Sequence, residues 1–280
     1  MLLFNSPLHC LRKTKCFRLL LKSSLNQPRL YDLGFSYPIA LRPITHASIW
    51  WNKKKLEHTQ TKLFEKIIKQ LDQKKEGGCF FDVGANIGLY SWLCRDLSSN
   101  RKILAFEPDP KNFELLQMTK ENSKIKNINL FNIALSNRMK TVSFQQDTLT
   151  SATGMISGGQ TPWIEKYLGQ ETNSIQVNTD YLDNKTFKTH EPSLIKIDVE
   201  GHELEVIKSG EKKLSQCKPL LLIESFAPNL ERVVNFLTKL GYKFWDSDLN
   251  KPLSDQTSNL FAWHDNGPLG AEIIEKIMNE

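Results

Sequence analysis

Cysteine is scarce in this chain. There are five, Cys10, Cys16, Cys79, Cys94 and Cys217, and no two form a Cys-x-x-Cys pair. That lack excludes the usual paired ligands of a zinc cluster, and the odd count argues against a disulfide framework. The expectation is a reducing, cytoplasmic setting. Long apolar runs are missing as well. The N-terminal stretch MLLFNSPLHCLRKTKCFRLLLKSS breaks its leucines with Pro7, His9, Arg12, Lys13 and Lys15. It has neither the apolar centre of a signal peptide nor the roughly 20 apolar residues that span a bilayer. At most a weak peripheral contact with a membrane surface is expected. Internal repeats and low-complexity tracts are also absent. So is the dinucleotide fingerprint G-x-G-x-x-G, which sets aside a nicotinamide-dependent oxidoreductase.

Charge is present but uneven. The chain of 280 residues has a net charge of +6. Residues 1–78 hold 15 Lys+Arg against 5 Asp+Glu, and the remainder holds 22 against 26. This reads as a basic N-terminal extension over residues 1–60, partly disordered, followed by a mildly acidic globular body over 61–280. A basic arm suits an acidic surface or RNA, so a catalytically inactive binding protein that uses the arm in this way is the alternative reading. The arm holds no recognisable nucleic-acid module, however, and Trp50-Trp51 reads as core packing, which points away from nucleic acid.

With 40% hydrophobic residues, the body can bury a core. In TKLFEKIIKQLDQKK, residues Leu63, Phe64, Ile67, Ile68 and Leu71 recur at helical spacing, and Gly77-Gly78 ends the pattern. Strands and helices then alternate. CFFDVG, KILAFEP, INLFNIAL, SLIKIDVEG and PLLLIES read as strands, and IGLYSWLCRDL, NFELLQMTKEN, HELEVIKSG and NLERVVNFLTKL as helices. YKFWDSD and NLFAWH form a closing hairpin. The region from Ser143 to Asn173 is rich in Ser, Thr, Gly and Gln and reads as loop with one or two accessory strands. SIQVNTDYLDN adds a short strand and a helical turn. Repeated β-α units with apolar strands predict an α/β fold, a doubly wound and mostly parallel sheet covered on both faces. Ligands bind such sheets outside the carboxyl ends of the strands.

Those strand ends hold the chemistry. The first closes in Asp82-Val83-Gly84-Ala85-Asn86-Ile87-Gly88. Its glycines bare the backbone for a close ligand, and the following helix offers free N–H groups. A carboxylate at Asp82 repels a phosphate but attracts a cation or ammonium group. The second strand ends in Glu107-Pro108-Asp109-Pro110. An acidic residue about 20 positions past the last glycine is where ribose hydroxyls are held. Asp109 then caps the next helix, with Pro110 at its first position. In this layout Asn132 to Leu135, at the end of the third strand, lie beside an adenine. The fourth strand ends in Asp198-Val199-Glu200-Gly201-His202. An extended chain there puts Asp198, Glu200 and His202 on one side, where they can take a proton from a hydroxyl or hold a divalent cation. The plainer alternative is that Glu200, His202 and Glu203 simply start a helix. Lys196, inside that strand, is expected to snorkel or to pair with a carboxylate.

FFDVGANIGLYS, LAFEPDPKNFELL, INLFNIALSN and LIKIDVEGHELEVIKSG resemble, in this order, the FkbM-type methyltransferases, a branch of the class I S-adenosylmethionine-dependent enzymes. The resemblance covers about residues 79–226. It implies a seven-stranded Rossmann-like sheet with an antiparallel last strand and S-adenosylmethionine as cofactor. It places Asp82, Gly84, Asn86 and Gly88 around the methionine part and Glu107 on the ribose. Ala85, Pro108, Asp109 and Ala134 complete the expected cofactor contacts. It further implies O-methylation of a hydroxyl on a sugar, glycan or natural product, with Asp198, Glu200 or His202 as the base. No separate metal site is expected; a metal-assisted version would use the same three residues.

Overall fold

The computed structural model describes residues 14–52, 58–75, 77–157 and 172–279. The basic stretch before Thr14, with Cys10, and Lys53–Lys55 therefore lie outside the described residues.

A seven-stranded sheet forms the centre. Its strands are β3 (Cys79–Val83), β4 (Ile103–Phe106), β5 (Ile128–Phe131), β10 (Pro192–Ile197), β11 (Leu220–Glu224), β12 (Lys243–Asp246) and β13 (Asn259–Trp263), in spatial order β12-β13-β11-β10-β3-β4-β5. All run parallel except β13, which is antiparallel to both its neighbours. Every residue of β3, β4 and β10 is buried. The pleat sorts them between two cores: Phe80 packs on one face, and Phe81 and Val83 on the other.

The first face is covered by α3 (His58–Gln73), α4 (Leu89–Leu97) and α5 (Pro110–Asn122). As the spacing predicts, Phe64, Ile67, Ile68 and Leu71 of α3 are fully buried. The opposite face takes α6 (Glu203–Ser209), α7 (Glu211–Cys217) and α8 (Asn229–Lys239) through Leu204, Ile207, Leu214, Val233 and Leu237. Helix α7 and a C-terminal α9 (Ala271–Asn279) are additions to the sequence reading. No described helix is long and apolar enough to cross a membrane.

The N-terminal region contributes to the same core. Strands β1 (Arg29–Tyr31) and β2 (Ile39–Leu41) form a hairpin, and Leu33, Ile39, Ala40 and Leu41 are fully buried in the first core. The Ala40 N–H donates to the Thr119 hydroxyl of α5 at 2.8 Å. Trp50 and Trp51, in the short helix α2 (Ala47–Asn52), are 43% and 80% exposed, so the pair is not core. Trp50 meets the edge of Tyr31, whereas the ring contact of Trp51 is with Trp50 itself.

INLFNIAL is not one strand. The Asn132 amide donates to the carbonyls of Glu107 (2.8 Å) and Pro108 (3.1 Å), turning the chain after Phe131. The next piece, β6 (Ala134–Leu135), joins a separate four-stranded sheet with β7 (Lys140–Gln146), β8 (Met155–Ile156) and β9 (Asn173–Asp180), in order β6-β9-β7-β8. Of these, β8 and the end of β7 fall in the Ser- and Gln-rich region, and β9 covers the strand expected in SIQVNTDYLDN. β7 alternates toward its end: Phe144 and Gln146 are buried while Ser143 and Gln145, on the other face, are half-buried, the pattern of a strand with one wet face. Of that region, residues 158–171 lie outside the described residues.

Candidate functional site

The carboxyl ends of β3, β4 and β10 meet because each hands a hydrogen bond to its neighbour. The N–H groups of Gly84 and Ala85 donate to the Phe106 carbonyl at 3.0 Å, Glu107 N–H to the Phe131 carbonyl at 3.0 Å, and Asp198 N–H to the Val83 carbonyl at 3.0 Å. Between these ends and the four-stranded sheet lies a cavity of about 60 Å³. Gly84, Asn86, Glu107, Pro108 and Asp109 line one part of it. Ala134, Asp198, Glu200 and His202 line another. The structure thus gathers nine of the twelve residues expected from sequence. Asp82, Ala85 and Gly88 do not line the cavity.

The glycines have a different reason from the one expected. A Cβ on Gly84, where φ is +78°, would lie 1.8 Å from the Asp198 carbonyl oxygen. On Gly88 it would lie 2.5 Å from Leu116 Cδ2 and 2.7 Å from Trp92 Nε1. Both glycines make room for the protein itself: Gly84 lets β10 close on β3, and Gly88 seats the indole whose N–H donates to the Ile87 carbonyl at 2.7 Å. Asp82 is also turned inward. Its carboxylate accepts from Ser91 N–H (3.1 Å) and Ser91 Oγ (2.7 Å), pairing β3 with α4. Burial raises its pKa, while Lys196 on the next strand and the Ser91 bonds pull the other way.

Glu107 sits where the spacing predicts. It is 5% exposed, and its two oxygens accept separately, from Asn86 N–H at 2.7 Å and Asp109 N–H at 2.8 Å. Burial without a cationic partner lifts its pKa to about 8, against the pull of those two bonds. Asp109 caps α5 by accepting from Lys111 N–H at 2.8 Å. It also accepts from Gln146 Nε2 at 2.9 Å, which ties the end of β7 over this wall.

Asp198, Glu200 and His202 do converge, but not by alternation along a strand. β10 ends at Ile197, and Glu200 (φ +52°) and Gly201 (φ +95°) turn the chain into α6. A left-handed pair of residues breaks the extended geometry on which alternation depends. Glu203 secures the bend: its carboxylate accepts from Gly201 N–H at 2.8 Å and is itself buried against Ser225 and Asn229. Lys196 does pair with a carboxylate. Its ammonium lies 2.8 Å from Asp198 Oδ2 and 4.7 Å from the centre of the Tyr90 ring. Burial raises the pKa of Glu200 well above the usual range, and the charges of Asp198, Glu224, Glu203 and Asp147 add to the shift. His202 moves the other way, because desolvation disfavours its cation. Its Nε2 lies 2.9 Å from Ser136 Oγ, and its Nδ1 3.8 Å from Glu205 Oε2. That carboxylate favours the tautomer protonated at Nδ1, with Nε2 accepting from the Ser136 hydroxyl.

Two features of the wall escape sequence reading. One is Asn112 of α5, 3% exposed, which lines the cavity. The other is a turn after β7 built on the buried Asp147, whose carboxylate accepts from the N–H groups of Leu149 and Thr150, both at 2.9 Å. That turn presents the Ser151 carbonyl, which accepts from both Asn86 Nδ2 and Asn112 Nδ2 at 3.0 Å. The two partners lie 65 and 39 residues from Ser151, so no local pattern announces them.

The Methyltransferase FkbM domain family matches residues 82–244. A hexuronic acid methyltransferase, AglP, of Haloferax volcanii is 29% identical over 139 residues, which are 49% of this chain and 52% of that protein. The match thus spans about half the length of that relative. Among solved structures, a methyltransferase FkbM from Methylobacillus flagellatus aligns at 16% identity and a TM-score of 0.47, over 67% of this chain and 44% of that one. A fibrillarin of Aeropyrum pernix with bound S-adenosylmethionine aligns at 10% identity and a TM-score of 0.39, over 67% and 66%. With more than half its length matched by the family and the motifs gathered on one sheet edge, this chain belongs to the FkbM methyltransferases.

Proposed function

We infer that this protein transfers the methyl group of S-adenosylmethionine to a hydroxyl oxygen on a sugar or sugar-like acceptor. The observation that supports this most is the shared cavity. One wall offers a carboxylate suited to a diol, and the other offers an imidazole kept neutral by burial. The residues fit such a cofactor. Glu107 can accept hydrogen bonds from hydroxyls, and the side-chain carbonyl oxygens of Asn86 and Asn112 are buried without a hydrogen-bond partner among the described residues, ready for donors. Bound there, S-adenosylmethionine supplies a methyl group on a sulfonium centre.

The protein's part is to align the acceptor, exclude water and receive a proton. His202 is the strongest of the three bases considered. Burial and the neighbouring carboxylates disfavour the ionised form of Glu200, and Asp198 is engaged by Lys196. Neutral His202 faces the cavity with Nε2 as acceptor, oriented by Glu205. The sugar acceptor rests on the relative that methylates a hexuronic acid. The test is incubation with methyl-labelled S-adenosylmethionine and a panel of neutral and uronic glycosides, read by mass spectrometry. A gain of one methyl on oxygen supports the reading. Methylation on nitrogen or carbon alone would refute it.

A further inference from the structure

The wall beside Glu107 contains an arrangement that the protein's own atoms satisfy only in part. Asn86 Nδ2 and Asn112 Nδ2 both donate to one acceptor, the Ser151 carbonyl. The partner oxygens of the same two amides, Asn86 Oδ1 and Asn112 Oδ1, are buried and accept from nothing among the described residues. A carbonyl only accepts, so Ser151 satisfies the two NH₂ groups and does nothing for the two oxygens. Buried, unpaired acceptors are costly, and native proteins keep few of them. A group that both accepts and donates would satisfy the amides fully. A hydroxyl is such a group.

The space agrees. About 60 Å³ is far below the roughly 300–1,000 Å³ of pockets that take drug-sized ligands. The Ser151 turn narrows it, for Ser151, Ala152, Gly154 and Ile156 all line the cavity. The turn is held by its internal Asp147 bonds, by the Gln146–Asp109 bond and by the two amides. Releasing the amides therefore frees the part of the wall nearest Glu107. Asn86 is placed against Glu107 by its own backbone N–H, so the amides and the carboxylate address one neighbourhood.

We propose that Asn112, together with the side chain of Asn86, binds the ribose hydroxyls of the donor, and that the Ser151 carbonyl holds their place until the nucleoside displaces it. Asn112 then acts beside Glu107 as a second reader of the sugar. This rests on the S-adenosylmethionine reading above and adds to it which part of the donor the two amides read and a turn that the donor displaces.

Two substitutions separate the role of ligand from that of a prop for the turn. Asn112→Leu removes both the donor and the acceptor. Asn112→Asp removes the NH₂ that holds Ser151 but keeps an oxygen for a hydroxyl. The measurement is calorimetric affinity for S-adenosylhomocysteine, with competition by adenosine and by 2′,3′-dideoxyadenosine, on protein whose cooperative unfolding is checked first. Asn112→Leu is expected to bind S-adenosylhomocysteine about tenfold more weakly, and Asn112→Asp within about threefold of wild type. The preference for adenosine over its dideoxy analogue should shrink in Asn112→Leu. Equal weakening in both variants, or an unchanged preference for adenosine, overturns the assignment and leaves Asn112 as a prop. Wild-type affinity in Asn112→Leu overturns it as well. Failure of folded wild-type protein to bind S-adenosylhomocysteine at all would instead remove the cofactor reading, and this inference with it.

Discussion

Replacing Glu107 by glutamine should make the protein more stable in alkaline solution while weakening its hold on the nucleoside. Glu107 is almost wholly buried, and desolvation lifts its pKa from the usual 4.5 to about 8. The neighbouring Asp109 and Asp82 push the same way, whereas the N–H groups of Asp109 and Asn86 oppose. The folded state thus binds this proton more tightly than the unfolded chain. Its contribution to stability is complete below pH 4.5 and is lost as pH rises toward 8. At about 1.4 kcal/mol per pH unit, the swing over that window is on the order of 3–5 kcal/mol. Glutamine does not titrate. It keeps one acceptor for the two backbone N–H groups and sets an NH₂ against the other, a penalty of about 1–3 kcal/mol that is the same at every pH.

The assay is urea unfolding of both proteins from pH 5 to pH 9. Subtracting one pH profile from the other removes the groups that titrate alike in both. Wild type should be the more stable near pH 5 and the variant should gain steadily to pH 8, after which the difference levels off. A flat difference across the range would refute the burial argument, because it would mean an ordinary carboxylate. The same carboxylate sets a binding prediction of opposite slope. Ribose hydroxyls donate to the ionised form, so affinity for S-adenosylhomocysteine should rise as pH approaches 8 and then flatten. The variant should lose both the affinity and its pH dependence. A site that gains stability on losing its functional charge fits the general trade between activity and stability.

Three further outcomes follow from the site. His202→Gln should cut turnover by about 100-fold or more, leave S-adenosylhomocysteine affinity within about twofold, and abolish the acid limb of the rate profile; an unchanged rate would remove His202 as the base. Gly84→Ala places a methyl 1.8 Å from the Asp198 carbonyl, so destabilisation of at least about 3 kcal/mol in urea is expected, and a loss under about 1 kcal/mol would show that β3 and β10 are not so closely joined. In hydrogen exchange, the amides of Gly84, Glu107 and Asp198 should open only with global unfolding, while those of Thr150, Ala152 and Thr153 exchange earlier; equal protection would contradict a displaceable turn.

Much of this was legible because buried parallel strands write themselves as apolar runs and their ends as polar punctuation. CFFDVG, ILAFEP and LIKIDV each end where the cavity begins, and Glu107 needed only a count from Gly88. What failed, failed for identifiable reasons. Gly84 and Gly88 show that a backbone must come close to something, but not to what; here the visitors are the Asp198 carbonyl and the Trp92 indole. Asp82 looked like a ligand because it stands beside the glycine turn, yet Ser91, nine residues on, takes its carboxylate inward. Asp198, Glu200 and His202 line one cavity, but not by alternation along a strand, since Glu203, buried by Asn229 from a distant helix, fixes a bend there. β7 hid in polar composition because only every second residue meets the core.

The two halves of the site are built by different means, and that difference bears on how it works. The wall made by Gly84, Glu107 and Asp198 is an extension of the central sheet, fixed by main-chain bonds to neighbouring strands. Moving it would break the ladder, so its geometry is set before any ligand arrives, as precise alignment requires. The opposing turn is joined to that wall by side-chain amides from Asn86, Asn112 and Gln146. The two asparagine contacts are neutral, each worth about 1 kcal/mol net, and each can be exchanged for a ligand contact of the same kind, whereas Gln146 donates to the carboxyl group of Asp109. A rigid wall facing an exchangeable one lets the site hold one partner in fixed register while it opens for the other. The proposed base, His202, stands at the junction: its bend is anchored by Glu203, and its ring touches Ser136 just beyond β6, on the side of the second sheet. Its setting therefore depends on both halves, which is why a base belongs there rather than deeper in either one.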